Sequence, residues 1–331
     1  MDNINLTSPE IAALWSTYLQ STAENCFYKH FLQHTSDVEI KPLLEEALVL
    51  NEGYIQEIKA IFTTEIFPIP VGFSDKDVDL SAPALFTDLF ALSFVYRSGQ
   101  ILINNFSTYL GKVARTDVVN VFDNGLTTRK SLYTKSLDLM LSKGIYDRPP
   151  KMSYPKNVEF IDHPSSLIKA WFGEERSLNA FELGELFFAI ERNCIGLIIM
   201  IGLIQVTNDQ EVKDYLIKGK KLSEKQIEVF NQILKDNGNF PTFPVTLEVT
   251  DSTVSPFSDK LIMFLISVTG QLGFTTLSYA MSVSARKDLA VRYTTFIGEI
   301  LKYGNEGLKI MIKRGWIEQP PQSPNRADLL K

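Results

Sequence analysis

Apolar positions recur at helical spacing along most of this chain, in blocks of about 25 to 30 residues parted by short polar or proline-bearing breaks. The first block opens at Ser8-Pro9-Glu10, with Ser8 as N-cap and proline in the first turn, and runs to about Thr35. Asp37 is placed to cap a second block, Val38 to Glu65, which Phe67-Pro68-Ile69-Pro70 stops because proline removes a backbone donor. After a loop to about Ala82, a third block runs from Pro83 to Val113. Asp117, beside Arg115, is placed to cap a fourth that ends at Gly144. The pattern then returns: Leu178 to Val206, Asp209 to Lys235, a Phe240-Pro241-Thr242-Phe243-Pro244 stop, Ser258 to Ala285 and Asp288 to Arg314. Helices of this length reach roughly 40–45 Å at ~1.5 Å per residue, the scale of a four-helix bundle. Short turns make hairpins of helices one and two and of three and four. The longer 66–82 and 240–257 segments can cross the bundle end to end, a ferritin-like topology.

The second set of blocks is a copy of the first. Leu6 aligns with Leu178 and Glu10 with Glu182, an offset of 172, without a gap to the end of the second helix. After small shifts the match resumes at 171, pairing Gly99-Gln100 with Gly270-Gln271 and Ala114-Arg115-Thr116-Asp117 with Ala285-Arg286-Lys287-Asp288. The expected architecture is all-α: two tandem ferritin-like four-helix bundles related by internal duplication, over 1–144 and 178–318. Residues 145–177 form a linker, with strand-like pieces at 157–161 and an amphipathic stretch at 167–172, expected to pack as a strap on both bundles. Residues 319–331 read as a flexible tail.

The copies differ in polarity. In the second repeat, helix one from Leu186 and helix three from Leu261 to Phe274 are apolar around most of their circumference, so they are expected to be buried on all sides, facing the first bundle or another subunit. The longest apolar run, Cys194 to Ile204, falls short of the ~20 residues of a membrane span, so no membrane insertion is expected. A net charge of −6 without a basic cluster argues against nucleic acid as partner. The start lacks the basic flank and apolar run of a signal peptide, which predicts a cytoplasmic protein. Cys26 and Cys194, flanked by apolar residues, read as inert core thiols.

A ferritin-like bundle raises the question of a di-metal carboxylate site, which needs a Glu from two helices and a Glu-x-x-His from the other two. The chain has three histidines, His30, His34 and His163, and no Glu-x-x-His. His30 and His34, at i and i+4, share a face and with Glu24 are the weak candidates for a single metal ion; a solvated or core histidine pair is preferred, and no cofactor is expected. Glu191-Arg192-Asn193 interrupts an apolar helix and calls for partners, since a buried charge must be paired. Glu299 is the expected partner of Arg192, in a polar layer that sets helix register or, alternatively, binds a ligand. Gln100 and Gln271 recur mid-helix and are expected to bridge helices, with contact to a ligand as the alternative. Arg115 and Arg286 are expected to bond loop carbonyls. No nucleophile elbow, phosphate-cradling glycine loop or paired zinc cysteines stand out, and no catalytic residue is assigned.

The Phe-Pro stops, Ser284 to Asp288, Thr250-Asp251-Ser252-Thr253-Val254, Phe257 to Leu261 and the ending Met311 to Pro321 resemble the tandem family known as domain of unknown function 3231, found in endospore-forming bacteria and similar in fold to spore coat protein F. The resemblance implies ferritin-like bundles, a link to sporulation and no catalytic residues to carry over. The function expected is therefore that of a non-enzymatic structural or interaction protein, cytoplasmic or spore-associated, whose partner is a second copy or another spore protein. The alternative is a bundle that binds a metal ion or a small apolar ligand.

Overall fold

The computed structural model describes residues 4–158, 160, 176–241, 248–323 and 326. These carry eight long α-helices: α1 Ser8–His34, α2 Lys41–Thr64, α3 Asp88–Leu110 and α4 Thr116–Ser142 in the first repeat, then α5 Ala180–Val206, α6 Gln210–Asp236, α7 Asp259–Val283 and α8 Lys287–Lys313 in the second. Each repeat is a bundle of two antiparallel hairpins, α1–α2 with α3–α4 and α5–α6 with α7–α8.

Helix starts depend on side-chain chemistry that apolar spacing does not report. The α1 cap is Thr7, one residue before the expected Ser8, and its N–H donates to Glu10 Oε2 at 2.8 Å. Asn179 and Glu182 make the same reciprocal cap on α5 at 2.9 and 3.1 Å. Pro83 starts no helix; the chain stays irregular to Thr87, whose hydroxyl accepts from Phe90 N. Asp117 does not cap α4. It binds Arg115 through two bonds of 2.8 and 2.7 Å, and Asp288 binds Arg286 likewise at 3.0 and 2.7 Å. As expected, these arginines also donate to loop carbonyls, Arg115 to Ile4 O and Arg286 to Arg176 O. Glu10 and Glu182 complete the joint by accepting the backbone N–H groups of residues 114–115 and 285–286. Burial pushes the Glu10 carboxyl up, but hydrogen bonds from Thr7, Arg115 and Ala114 outweigh it and bring it down to about 2.

The two bundles share one core. Phe27, Phe31, Phe90 and Val95 of the first repeat belong to the same buried cluster as Ile198, Leu203, Leu261 and Ile266 of the second. Their crossover loops pair around a pseudo-two-fold axis. Val78 bridges Phe257 and Phe86 bridges Val249, and these are the same pair with the repeats exchanged, since Val78 corresponds to Val249 and Phe86 to Phe257 at an offset of 171. The flanking bonds obey the same exchange. Thr87 N donates to Glu248 O at 3.1 Å and Ser258 N to Asp77 O at 3.0 Å; Thr250 N donates to Leu85 O at 3.0 Å and Asp79 N to Pro256 O at 2.8 Å. This is an isologous interface of the kind formed by symmetric dimers, built within one chain.

α5 and α7 face the first bundle, as their composition predicts, but neither is sealed on all sides. Both are long and apolar enough to cross a membrane, yet half of the apolar window of α5 is buried within the protein and only 28% of that of α7. The middle of α7, from Ser267 to Thr276, is half-buried or exposed. In the linker, Ile145 and Tyr146 pack on the shared core, whereas 151–158 are exposed and form no packed strap. The amphipathic stretch 167–172 and His163 lie outside the described residues.

Candidate functional site

At the centre of the first bundle each helix contributes one polar side chain. Glu24 of α1 is 7% exposed and accepts from Ser98 Oγ of α3 at 2.8 Å, Asn51 Nδ2 of α2 at 3.2 Å and Gln20 Nε2 at 3.0 Å. Arg129 of α4 is fully buried, donates to Asn51 Oδ1 and lies 5.2 Å from the centroid of the Tyr54 ring. Metal-carrying bundles place cations at this level. Here the cation is a guanidinium, with Glu24 as its counter-charge one hydrogen-bonded residue away.

The second repeat replaces this layer with uncharged groups, most of them small or aliphatic. Glu24, Asn51, Tyr54, Ser98 and Arg129 correspond to Gly196, Ser223, Gln226, Thr269 and Ile300. All five replacements line a cavity of about 160 Å³ that is bordered by α1, α3, α5, α6, α7 and α8 and partly open to solvent. A Cβ on Gly196 would meet only Ser223 Oγ, at 3.7 Å, and one on Gly270 would meet nothing within 4 Å. Phe27, Phe94, Ile199, Met200 and Leu272 supply apolar wall.

Arg97 and Arg192 stand at the cavity wall. Arg97 forms an ion pair with Glu191 and its Nε donates to Ser93 Oγ at 3.1 Å. Arg192 donates to Gln100 Oε1 at 2.7 Å and approaches Glu191 only to 4.0 Å. Burial pulls the Arg192 guanidinium below its ordinary range, and the Glu191 carboxylate opposes that. The expected Arg192–Glu299 pair is not formed: Glu299 points outward on α8 and binds Lys225 at 2.5 Å. Arg192 instead joins the two repeats through Gln100, which bridges helices as expected. Gln271, its counterpart, is exposed and outside the cluster.

The structure does not bring His30, His34 and Glu24 together as ligands. Glu24 is committed to the polar layer, and no cluster of three metal-ligating side chains occurs among the described residues. His30 is 1% exposed and packs 5.2 Å from the Phe257 ring, while His34 Nε2 lies 2.9 Å from Ala82 O. Burial, reinforced by His34, depresses His30 to about 4. Its unfolded value lies near 6.5, so between those limits the unfolded chain holds the extra proton and stability falls as pH falls. From pH 7.5 to pH 5 this group is expected to remove about 2 kcal/mol. Urea midpoints of wild type and His30→Phe at both pH values check this; an equal pH dependence in the two proteins would refute it. Cys26 and Cys194 are buried thiols, each pushed up to about 12 chiefly by burial, which suits inert core residues.

No curated protein matches the chain. Among solved structures, a candidate spore coat protein from Bacillus halodurans is 21% identical, with a TM-score of 0.40, over 46% of this chain and 98% of that one. The model of the family described as "Protein of unknown function (DUF3231)" matches residues 1–158 and again residues 166–329. With its two matched regions spanning nearly the whole length, and two helical bundles to correspond to them, the chain belongs to the DUF3231 family and carries its domain twice in tandem.

Proposed function

We propose that this protein binds a small, largely apolar molecule in the cavity between its repeats, and that its role is binding rather than catalysis. The observation that carries this reading is the fate of one layer of the fold. Four helices fill it with hydrogen-bonded polar side chains in the first repeat, and the corresponding positions in the second line the cavity. Protein interiors are normally packed to the density of organic crystals, so a benzene-sized, partly open pocket between the two bundles is a departure that a ligand accounts for. Of the two readings the sequence offers, the cavity favours a ligand-binding bundle over a purely structural part. The Ser98 hydroxyl at the cavity is spent on Glu24, and that of Ser93 accepts from Arg97, which leaves neither poised as a nucleophile.

Ligand-observed NMR with toluene and indole tests this directly. Wild type is expected to bind at about millimolar affinity or tighter. Gly196→Leu, which places a side chain where Gly196 leaves open space, is expected to abolish binding while preserving the helical circular dichroism. Absence of binding by wild type, or unchanged binding by the filled variant, would remove the cavity as the site.

A further inference from the structure

We propose that the cavity selects a compact amphiphilic anion: an aromatic or branched apolar body bearing a single carboxylate, which pairs with Arg192. This rests on the cavity being a ligand site and adds the chemical class of the ligand.

The charged groups of the wall do not balance without it. Glu24 is saturated by Ser98, Asn51 and Gln20, with Arg129 behind it through Asn51. Arg97 holds Glu191 directly. Arg192 is left with the neutral Gln100 as its hydrogen-bonded partner and a shared carboxylate 4.0 Å away, although its side chain is only 17% exposed. Two guanidiniums thus share Glu191 beside an apolar chamber, and the nearby Asp147 carboxylate acts on Arg97. A guanidinium withdrawn from water without its own counter-ion is costly, and it regains that cost when a carboxylate meets its planar fork. The feature is specific to one side of the pseudo-two-fold. Arg192 corresponds to Gln20 and Arg97 to Val268, all four of which line the cavity, so both cations stand where the other repeat is neutral.

Size and charge narrow the class. An engineered cavity of about 150 Å³ takes benzene, and this one measures about 160 Å³. A dianion such as a phosphate ester is disfavoured, because Glu191 lies 4.0 Å from Arg192 and Glu24 also lines the cavity.

The test is calorimetric titration of the full chain at pH 8.5 with phenylacetate, its neutral analogue phenylacetamide, phenylphosphonate, which is a dianion at this pH, and toluene. Phenylacetate is expected to bind about tenfold or more tighter than phenylacetamide and phenylphosphonate. Arg192→Gln is expected to erase that preference while keeping the wild-type helical circular dichroism and urea midpoint, which shows that the variant is folded. Arg192→Lys should retain part of it. Toluene binding without a preference for phenylacetate would overturn the assignment to Arg192 and leave the cavity reading intact. Tighter phenylphosphonate would overturn the monocarboxylate, and failure of every probe to bind wild type would remove both readings.

Discussion

Replacing Glu24 by leucine is expected to destabilise the protein by about 3–5 kcal/mol, the loss associated with leaving a buried charge without its partner. Arg129 is fully buried among the helices of the first bundle, and the Glu24 carboxylate, reached through Asn51, is the anion of its layer. Removing that anion strands the guanidinium and leaves Ser98 and Asn51 with donors that no longer have an acceptor. Arg129→Met should cost less, because Glu24 keeps three donors of its own. The double variant Glu24→Leu/Arg129→Met should recover most of the stability, since an apolar layer of similar volume tolerates burial. Urea denaturation of the four proteins closes a double-mutant cycle, in which a coupling energy above about 2 kcal/mol is expected. Additive losses would show that Arg129 is compensated from elsewhere. The same cycle explains the divergence of the repeats. A layer whose worth depends on every member being present is replaced as a set, and the second repeat carries Gly196, Ser223, Thr269 and Ile300 together.

The helices and the duplication were legible because both are written in local pattern. Apolar spacing reports the face a helix buries, and an offset of 172 or 171 aligns chemically similar residues without knowledge of contacts. Helix starts were displaced by one to five residues, as at Thr7 and Thr87, where one hydroxyl decides the boundary. The site was harder to read, because a cavity is made of missing atoms. Gly196 in an apolar helix carries no signal alone; set against Glu24, its counterpart, it marks a buried carboxylate lost from a bundle centre. The sequence marks Arg192 as needing a partner and points to Glu299 on α8 of its own bundle. The partner in the fold, Gln100, lies on α3 of the other repeat, and periodicity within a helix carries no information about which bundle covers a face. Arg97, Asn51 and Arg129 carry no signal in the sequence for the same reason: each is an ordinary polar residue until the fold buries it.

Truncating Phe257 to alanine is expected to cost about 3–5 kcal/mol, and truncating Phe86 about the same, because each ring is the plug by which one repeat enters the other. Phe257 sits 4.5 Å from the Phe27 ring and 5.2 Å from His30 in the first repeat. Phe86, stacked on Phe90 at 4.0 Å, covers Gly202, where a Cβ would come within 2.8 Å of its ring. His30 and Gly202 are themselves equivalent positions, so the two plugs occupy related sockets, one floored by an imidazole and the other by bare backbone. The sockets therefore fit their plugs differently, and the interface is two-fold in its backbone bonds but asymmetric in its packing. Cooperativity follows from the plugs, since they tie the repeats into one buried cluster. Wild type should unfold in urea as a single transition seen alike by circular dichroism and by tryptophan fluorescence, the latter reporting Trp15 in the first repeat and Trp316 in the second together with Trp171 between them in sequence. In Phe86→Ala/Phe257→Ala the single transition should split into two steps, as the bundles lose the contacts that make them unfold together. A double variant that still melts in one coincident transition would place the coupling elsewhere, in the backbone bonds between the loops or in the Glu318 carboxylate that accepts from Val71 and Gly72 across the repeats.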